Sequence, residues 1–161
     1  MQPKTIEDLD RLRNQCKSMV TTRAGLSAGA SVVPIPGLDL GADVALLIDL
    51  IASINRQFGL TPAQIDDLDI RSKKIILIAI TSIGSEMVGK LITKPLIIQV
   101  LKRVGVQLAT KSVVKYVPFL GSVIAASISF GAMKLVGDSH VDACYAVAQK
   151  ALLAFDESAK A

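Results

Sequence analysis

Two side chains near the C-terminus have the types and the spacing of reactive or metal-binding groups. His140 is the only histidine, and Cys144 follows it by one helical turn, so both are expected on one side of a helix. A zinc site needs more ligands, but the remaining cysteine, Cys16, is remote in sequence and no Cys-x-x-Cys pair occurs. A cysteine nucleophile would also need a base and an oxyanion site. We therefore expect no metal, no cofactor and no catalysis, with His140 exposed in the first turn of a helix and both cysteines free and buried.

A second pattern is close to a phosphate-binding loop. Residues 84–91 read Gly-Ser-Glu-Met-Val-Gly-Lys-Leu after an apolar run, but Leu91 stands where a Ser or Thr would bind Mg²⁺. No Asn-Lys-x-Asp sequence follows, and no alternation of strands and helices predicts the sheet that such a loop needs. The match is interpreted as chance.

Three aspartates lie after the first proline-rich segment. Asp39 and Asp43 are one helical turn apart and are expected to stabilise a helix N-terminus, since two carboxylates supply too few oxygens for a cation site. Asp49 lies within an apolar helix, where it is expected to pair with a base from another helix and to fix the helix register.

Charge is distributed unevenly along the 161 residues. Residues 35–70 carry one base and six acids, whereas residues 71–134 carry ten bases and one acid, Glu86. Basic charge beside uncharged apolar helix is typical of proteins that bind anionic membranes, and it is also typical of a solvated face that keeps an apolar domain in solution. The candidate membrane or partner surface comprises Lys90, Lys94, Lys102, Arg103, Lys111 and Lys115. The candidate acidic partner surface comprises Asp66, Asp67 and Asp69.

Nucleic acid is not expected as a partner. The chain has no Trp, and its basic block contains only Tyr116, Phe119 and Phe130 as aromatic residues that could stack on bases. The N-terminal segment is charged and lacks the apolar core of a signal peptide, which predicts a cytoplasmic protein, either free or peripheral at the inner face of the membrane.

Two matching hinges interrupt the apolar segments that must position these residues. Residues 33–37 read Val-Pro-Ile-Pro-Gly, and residues 117–121 read Val-Pro-Phe-Leu-Gly. Proline ends a helix and glycine permits a tight turn, so each site predicts a helical hairpin in an uncharged stretch. The hinge residues are Pro34, Pro36, Gly37, Pro118 and Gly121. Such a hairpin either packs in a bundle or inserts into a bilayer, and residues 116–133 are at the edge of spanning length.

The helical signals predict an all-α fold with about seven helices. The expected helices cover residues 5–31, 38–58, 62–68, 72–92, 94–116, 118–136 and 139–157. Thr5 and Thr61 are expected N-caps, and Gly59 is an expected C-terminal glycine. Gly137-Asp138 is expected to separate the last two helices, and the fourth helix is expected to be buried on most sides. The result is one helical domain over residues 1–157, a bundle with a central apolar hairpin, and a frayed tail at 158–161.

Two of these stretches resemble the C-terminal helical domain of immunity-related, dynamin-like GTPases. The first reads Val-Pro-Ile-Pro-Gly-Leu-Asp-Leu-Gly-Ala-Asp-Val-Ala-Leu-Leu-Ile from residue 33, followed by Arg-Gln-Phe-Gly-Leu from residue 56. The second reads Tyr-Val-Pro-Phe-Leu-Gly-Ser-Val-Ile-Ala-Ala-Ser-Ile-Ser-Phe-Gly from residue 116. Both are also similar to helical domains of bacterial proteins that accompany such GTPases or associate with the inner membrane. The chain has room for the helical part only, so the resemblance implies a membrane-linked or partner-binding module without a nucleotide switch.

The expected function is a non-catalytic helical module that associates with anionic membranes, with a protein partner such as a GTPase, or with both. One alternative is an immunity or inhibitor protein whose acidic residues bind a basic toxin or effector. Another is a pore-forming or membrane-disrupting effector built on the inserted hairpin. These patterns leave the partner, the lipid and the oligomeric state open.

Overall fold

The computed structural model describes residues 3, 5–30, 39–111 and 121–160. Within these ranges every regular element is an α-helix and no strand occurs, which confirms the predicted all-α class. The helices are α1 (Ile6–Ala30), α2 (Asp39–Gln57), α3 (Pro62–Asp66), α4 (Ile70–Ile83), α5 (Lys94–Lys111) and α6 (Gly121–Lys160).

Several helix ends lie where the local sequence predicts them. The Thr5 hydroxyl accepts a hydrogen bond from the Asp8 N–H at 3.1 Å, next to the start of α1. Thr61 caps α3 in a reciprocal pair with Gln64. After α2 the chain turns at Gly59, whose φ of 72° is the left-handed conformation that glycine adopts without strain.

Helix α4 ends earlier than the sequence indicates. The expected helix over 72–92 stops at Ile83, because Gly84 takes φ 71° and donates its N–H to the Ile80 carbonyl at 3.1 Å. The residues from 85 to 93 form turns between α4 and α5. The apolar run concealed this boundary, since hydrophobicity alone does not mark a glycine cap.

The expected break between the last two helices is absent. Helix α6 continues through Gly137 and Asp138. A Cβ atom on Gly137 would lie 2.6 Å from Val20 Cγ1 and 3.4 Å from Leu50 Cδ2. This glycine therefore allows α6 to pack closely against α1 and α2, and it does not terminate a helix.

The chain divides into two compact units, while the expectation of one domain over 1–157 stays a prediction. The first unit comprises Met1–Lys17, Ile51–Leu91 and Ser139–Ala161. The second unit comprises Ser18–Leu50 and Ile92–Asp138.

The first unit packs the start of α1 against the second half of α6. Asp142 receives hydrogen bonds from Arg13 Nε at 2.8 Å and Lys17 Nζ at 3.1 Å. Nearby, the Tyr145 hydroxyl donates to Asp10 at 2.6 Å. Beneath these polar contacts lies an aliphatic core that includes Leu9, Ile51, Ile54, Leu60, Ile65, Val88, Val141 and Val147.

The second unit has its own aliphatic core. Its buried side chains include Val20, Ala24, Val44, Leu47, Leu50, Ile97, Met133 and Val136. Arg23 of α1 forms a salt bridge with Asp49 of α2, which confirms the predicted pairing of that aspartate with a base from another helix. The hinge residues Pro34, Pro36, Gly37 and Pro118 lie outside the described residues, and Gly121 is the first residue of α6.

Candidate functional site

His140 lies in the protein interior. Only 1% of its surface is exposed, so the prediction of an exposed first-turn histidine is wrong. The reason is the continuity of α6 through Gly137, which places His140 inside the helix on its core-facing side. Cys144 and Cys16 are free and fully buried, as predicted.

A buried polar cluster forms around Asn55 of α2. The Asn55 Nδ2 group donates to the Met87 carbonyl at 3.1 Å, which leaves Asn55 Oδ1 facing His140 Nε2 at 3.0 Å. An amide oxygen only accepts, so His140 must carry its proton on Nε2. The Cys144 thiol also approaches Asn55 Oδ1, at 3.5 Å. The cluster thus joins α2, the turn after α4 and α6 within the first unit.

These residue types match those of a Cys-His-Asn catalytic set, but their geometry does not. In a relay, one ring nitrogen contacts the nucleophile and the other contacts the residue that orients the ring. Here His140 Nε2 lies 3.0 Å from Asn55 and 3.5 Å from the Cys144 sulfur, so one nitrogen faces both groups. The other nitrogen, Nδ1, is buried without a hydrogen-bond partner among the described residues. The arrangement joins helices and gives no route for proton transfer.

The ionisation of the cluster also opposes catalysis. Burial lowers the pKa of His140 to about 4, so the ring is neutral at physiological pH. Burial raises the pKa of Cys16 to about 11 and moves that of Cys144 in the same direction. Neutral thiols are poor nucleophiles and poor metal ligands. In the part of the chain that the structure describes, no group of three or more His, Cys, Asp or Glu side chains could hold a metal ion.

The loop that resembles a phosphate-binding sequence uses its amides internally. The Ser85 hydroxyl accepts the Met87 and Val88 N–H groups, each at 3.3 Å. Gly89 has φ 72°, and a Cβ atom there would lie 2.7 Å from Ile80 Cδ1. Of the two glycines of this loop, Gly84 therefore ends a helix and Gly89 permits a close packing contact.

The basic residues selected from the sequence lie mainly on or near α5. Lys90 is exposed in the turns before this helix, and Lys94 is its first residue and exposed. Lys102 and Arg103 are exposed along its length. Lys111 is the last residue of α5, and Lys115 lies outside the described residues.

The acidic residues selected from the sequence have largely local contacts. Asp66 forms a 2.5 Å salt bridge with Lys73 of α4. Asp69 is the N-cap of α4 and accepts the Arg71 and Ser72 N–H groups at 3.0 and 3.1 Å. Hydrogen bonds from Ser72 and Arg71 hold the pKa of Asp69 below its usual range. Asp67 is exposed at the end of α3.

Sequence reasoning missed an exposed apolar face on α4. The helix was expected to be buried on most sides, but only Ile76 and Ala79 are fully inside. The residues that share its outer surface are Ile70, Lys73, Lys74, Leu77, Ile78, Thr81 and Ser82. Lys74 and Thr81, seven residues apart and so on one side of a helix, were the available signal of an outward face.

One helical segment within the described ranges is long and apolar enough to cross a membrane. This segment, Val44–Asp66, comprises most of α2, the turn that follows it and α3; its most apolar stretch has a mean hydropathy of 1.2, and half of that stretch is buried. A core helix of a globular protein has the same properties. The segment therefore supplies little support for a membrane span.

Comparison with protein families, curated proteins and solved structures finds no match to this chain.

Proposed function

We propose that this protein is a non-catalytic helical module that docks on anionic membrane surfaces. The observation that carries the proposal is the exposed basic side of α5, where Lys102 and Arg103 point outward from a helix that contains no acid, with Lys94 exposed at its first residue. The opposite side of that helix is anchored by Ile97, which is fully buried. A basic helix held in this way presents its charges without unfolding.

The free lysines of this side favour a partner with many negative charges. Lys94 and Lys102 form no salt bridge with another described residue. Each Lys or Arg close to an anionic bilayer contributes about 1 kcal/mol, so the two lysines contribute roughly 2 kcal/mol. That attraction gives reversible docking that weakens as salt screens the charges.

The two other functions expected from the sequence have less support. An inhibitor that uses Asp66, Asp67 and Asp69 would have to release Asp66 from Lys73 and Asp69 from the α4 cap. A pore-forming effector would rest on the second hinge, most of which lies outside the described residues. The buried Asn55 cluster gives an enzymatic function no support, because its groups are neutral and face each other.

The test is flotation of the purified protein with vesicles of phosphatidylcholine alone and of phosphatidylcholine mixed with phosphatidylglycerol. We expect flotation with the mixed vesicles only, at low salt. Replacing Lys102 by Glu removes one attraction and adds a repulsion. The affinity for the mixed vesicles, calculated from the bound fraction, should therefore fall by roughly tenfold or more. Equal flotation of the parent protein with the neutral vesicles would contradict an electrostatic mechanism.

The matched control is Lys150→Glu, which reverses the charge of another exposed lysine, on α6. The net charge of the two variants is the same, so a general effect of charge would weaken both equally. Docking through α5 predicts that Lys150→Glu floats like the parent protein. Equal flotation by Lys102→Glu and the parent would refute the α5 surface.

A further inference from the structure

Helix α4 packs one face against the protein and leaves several large apolar side chains exposed on the other. Ile76 and Ala79 point into the core of the first unit. On the other side Ile70 is 90% exposed, Leu77 46% and Ile78 56%. These three residues lie on one side of the helix, with Lys73 and Lys74 in the turn between Ile70 and Leu77, so they form a strip of apolar and basic side chains on the protein surface. Large contiguous apolar patches on globular proteins mark interaction sites, so this strip is a candidate for one.

The charges around this strip are all basic on α4 itself. Arg71, Lys73 and Lys74 lie in its first two turns, and the helix contains no acid from Ile70 to Ile83. Three acids precede the helix in sequence: Asp69 caps it, Asp66 pairs with Lys73, and Asp67 is exposed. The strip therefore combines exposed aliphatic groups with the two lysines that line it, Lys73 and Lys74.

We propose that α4 is the element of this protein that enters the bilayer interface, lying parallel to an anionic membrane with Ile70, Leu77 and Ile78 below the headgroups. This inference rests on the proposed membrane docking and adds an apolar contact, made by α4, to the basic contact proposed for α5. The lysine stems can extend along the apolar strip while their ammonium groups reach the lipid phosphates. A bilayer fits this surface because it offers an apolar layer directly beneath a sheet of negative charge.

The two ends of α4 are capped, so the helix is formed before it meets a membrane. Its N-cap at Asp69 and its glycine cap at Gly84 keep the helix formed before any contact. Docking therefore requires no folding step, and the binding energy is not reduced by ordering of the chain. The bases occupy the N-terminal half, whereas Leu77 and Ile78 occupy the middle, so charge directs the approach and apolar burial holds the helix.

The first experiment replaces the apolar contacts without changing charge. The double variant Leu77→Gln/Ile78→Gln should lower the partition coefficient on mixed phosphatidylcholine and phosphatidylglycerol vesicles by roughly tenfold or more, at low and at high salt. The matched control is Leu153→Gln on α6, a leucine of the same unit that is 53% exposed. It should float like the parent protein, because it removes an equally exposed leucine that lies on α6 and not on α4. Circular dichroism verifies that every variant stays folded.

The second experiment reports the depth of α4 directly. Thr81, which is exposed on this face, is replaced by Cys and labelled with a dye whose emission shifts to the blue in an apolar medium. Both native cysteines are fully buried, so the new thiol is the one that reacts. Addition of mixed vesicles should shift the dye at position 81 and leave a dye at Leu153→Cys unchanged.

The outcomes separate this inference from the proposed function. Flotation of the parent with no dye shift at position 81, or with normal flotation of Leu77→Gln/Ile78→Gln, would keep membrane docking and overturn the role of α4. Absence of flotation by the parent would overturn both. A dye shift that grows with protein concentration without vesicles would assign the strip to a second copy of the chain and refute the bilayer as its occupant.

Discussion

The buried Asn55 cluster and the exposed strip of α4 are opposite in character, although both belong to the first unit. The cluster gathers polar groups where water is excluded, and the strip exposes aliphatic groups where water is present. Polar side chains that lie close together suggest a catalytic site. In this cluster, however, every strong donor faces a neutral acceptor, and the thiols are unreactive. The informative surface is the apolar one, because several large aliphatic side chains are exposed together on one side of one helix.

The comparison predicts that the two regions respond differently to substitution. Changes in the cluster should reduce the free energy of unfolding, because they leave buried groups without partners. Changes on the strip should alter membrane affinity and leave stability within about 0.5 kcal/mol of the parent, as for most exposed positions.

The largest effect is expected for Asn55→Leu. This change removes the acceptor of the His140 Nε2–H and the donor to the Met87 carbonyl, both inside the protein. Each orphaned buried group costs about 1–3 kcal/mol, so we expect a loss of roughly 4 kcal/mol in the free energy of unfolding. Chemical denaturation followed by circular dichroism measures it. Asn14→Leu is the control, since Asn14 is exposed on α1 in the same unit and its loss should be nearly neutral. Equal stabilities for the two variants would contradict a structural role for the cluster.

The next largest effect is the pH dependence of stability that His140 imposes. Its pKa is about 4 in the folded state and 6.5 in the unfolded chain, so the unfolded chain binds this proton first as the pH falls. The contribution of neutral His140 is fully present above pH 6.5, decreases as the pH falls and is lost below about 4. Each pH unit in that window corresponds to about 1.4 kcal/mol, so the whole loss is about 3 kcal/mol.

The control for this titration is His140→Gln, which keeps an amide N–H for Asn55 and has no titratable ring. Denaturation curves collected from about pH 7 to 4 should show the slope in the parent and a flatter profile in the variant. The aspartates are the same in both proteins. They include Asp142, whose pKa is held below the usual range by Lys17 and Arg13 against the opposing effect of burial. If the free energies of unfolding of the two proteins changed in parallel with pH, His140 would bind its proton in the folded state as readily as in the unfolded chain.

Much of the local structure could be predicted because it depends on neighbouring residues. The caps at Thr5 and Thr61, the glycine turn at Gly59 and the pairing of Asp49 follow from rules that act within one turn or along one helix face. The cluster could not be predicted, since Asn55 and His140 are far apart in sequence and no periodicity links them. The α4 strip was missed because an apolar run does not reveal which of its sides the fold covers.

The smallest effect is expected for a substitution of Gly137. Because α6 continues through this residue, His140 lies on the core-facing side of the helix. A glycine that ends a helix would have positive φ, but Gly137 is inside α6 and a Cβ there would meet Val20 at 2.6 Å. Gly137→Ala gains about 1 kcal/mol of helix propensity and loses about 1–3 kcal/mol through overpacking, so a net loss near 1 kcal/mol is expected. Gly131→Ala, in the same helix with nothing within 4 Å of a Cβ placed there, should gain stability instead. Thermal denaturation of the pair measures the difference. Stabilisation by both alanines would mean that α1 and α6 do not approach closely at Gly137, and the tight packing inferred there would have to be abandoned.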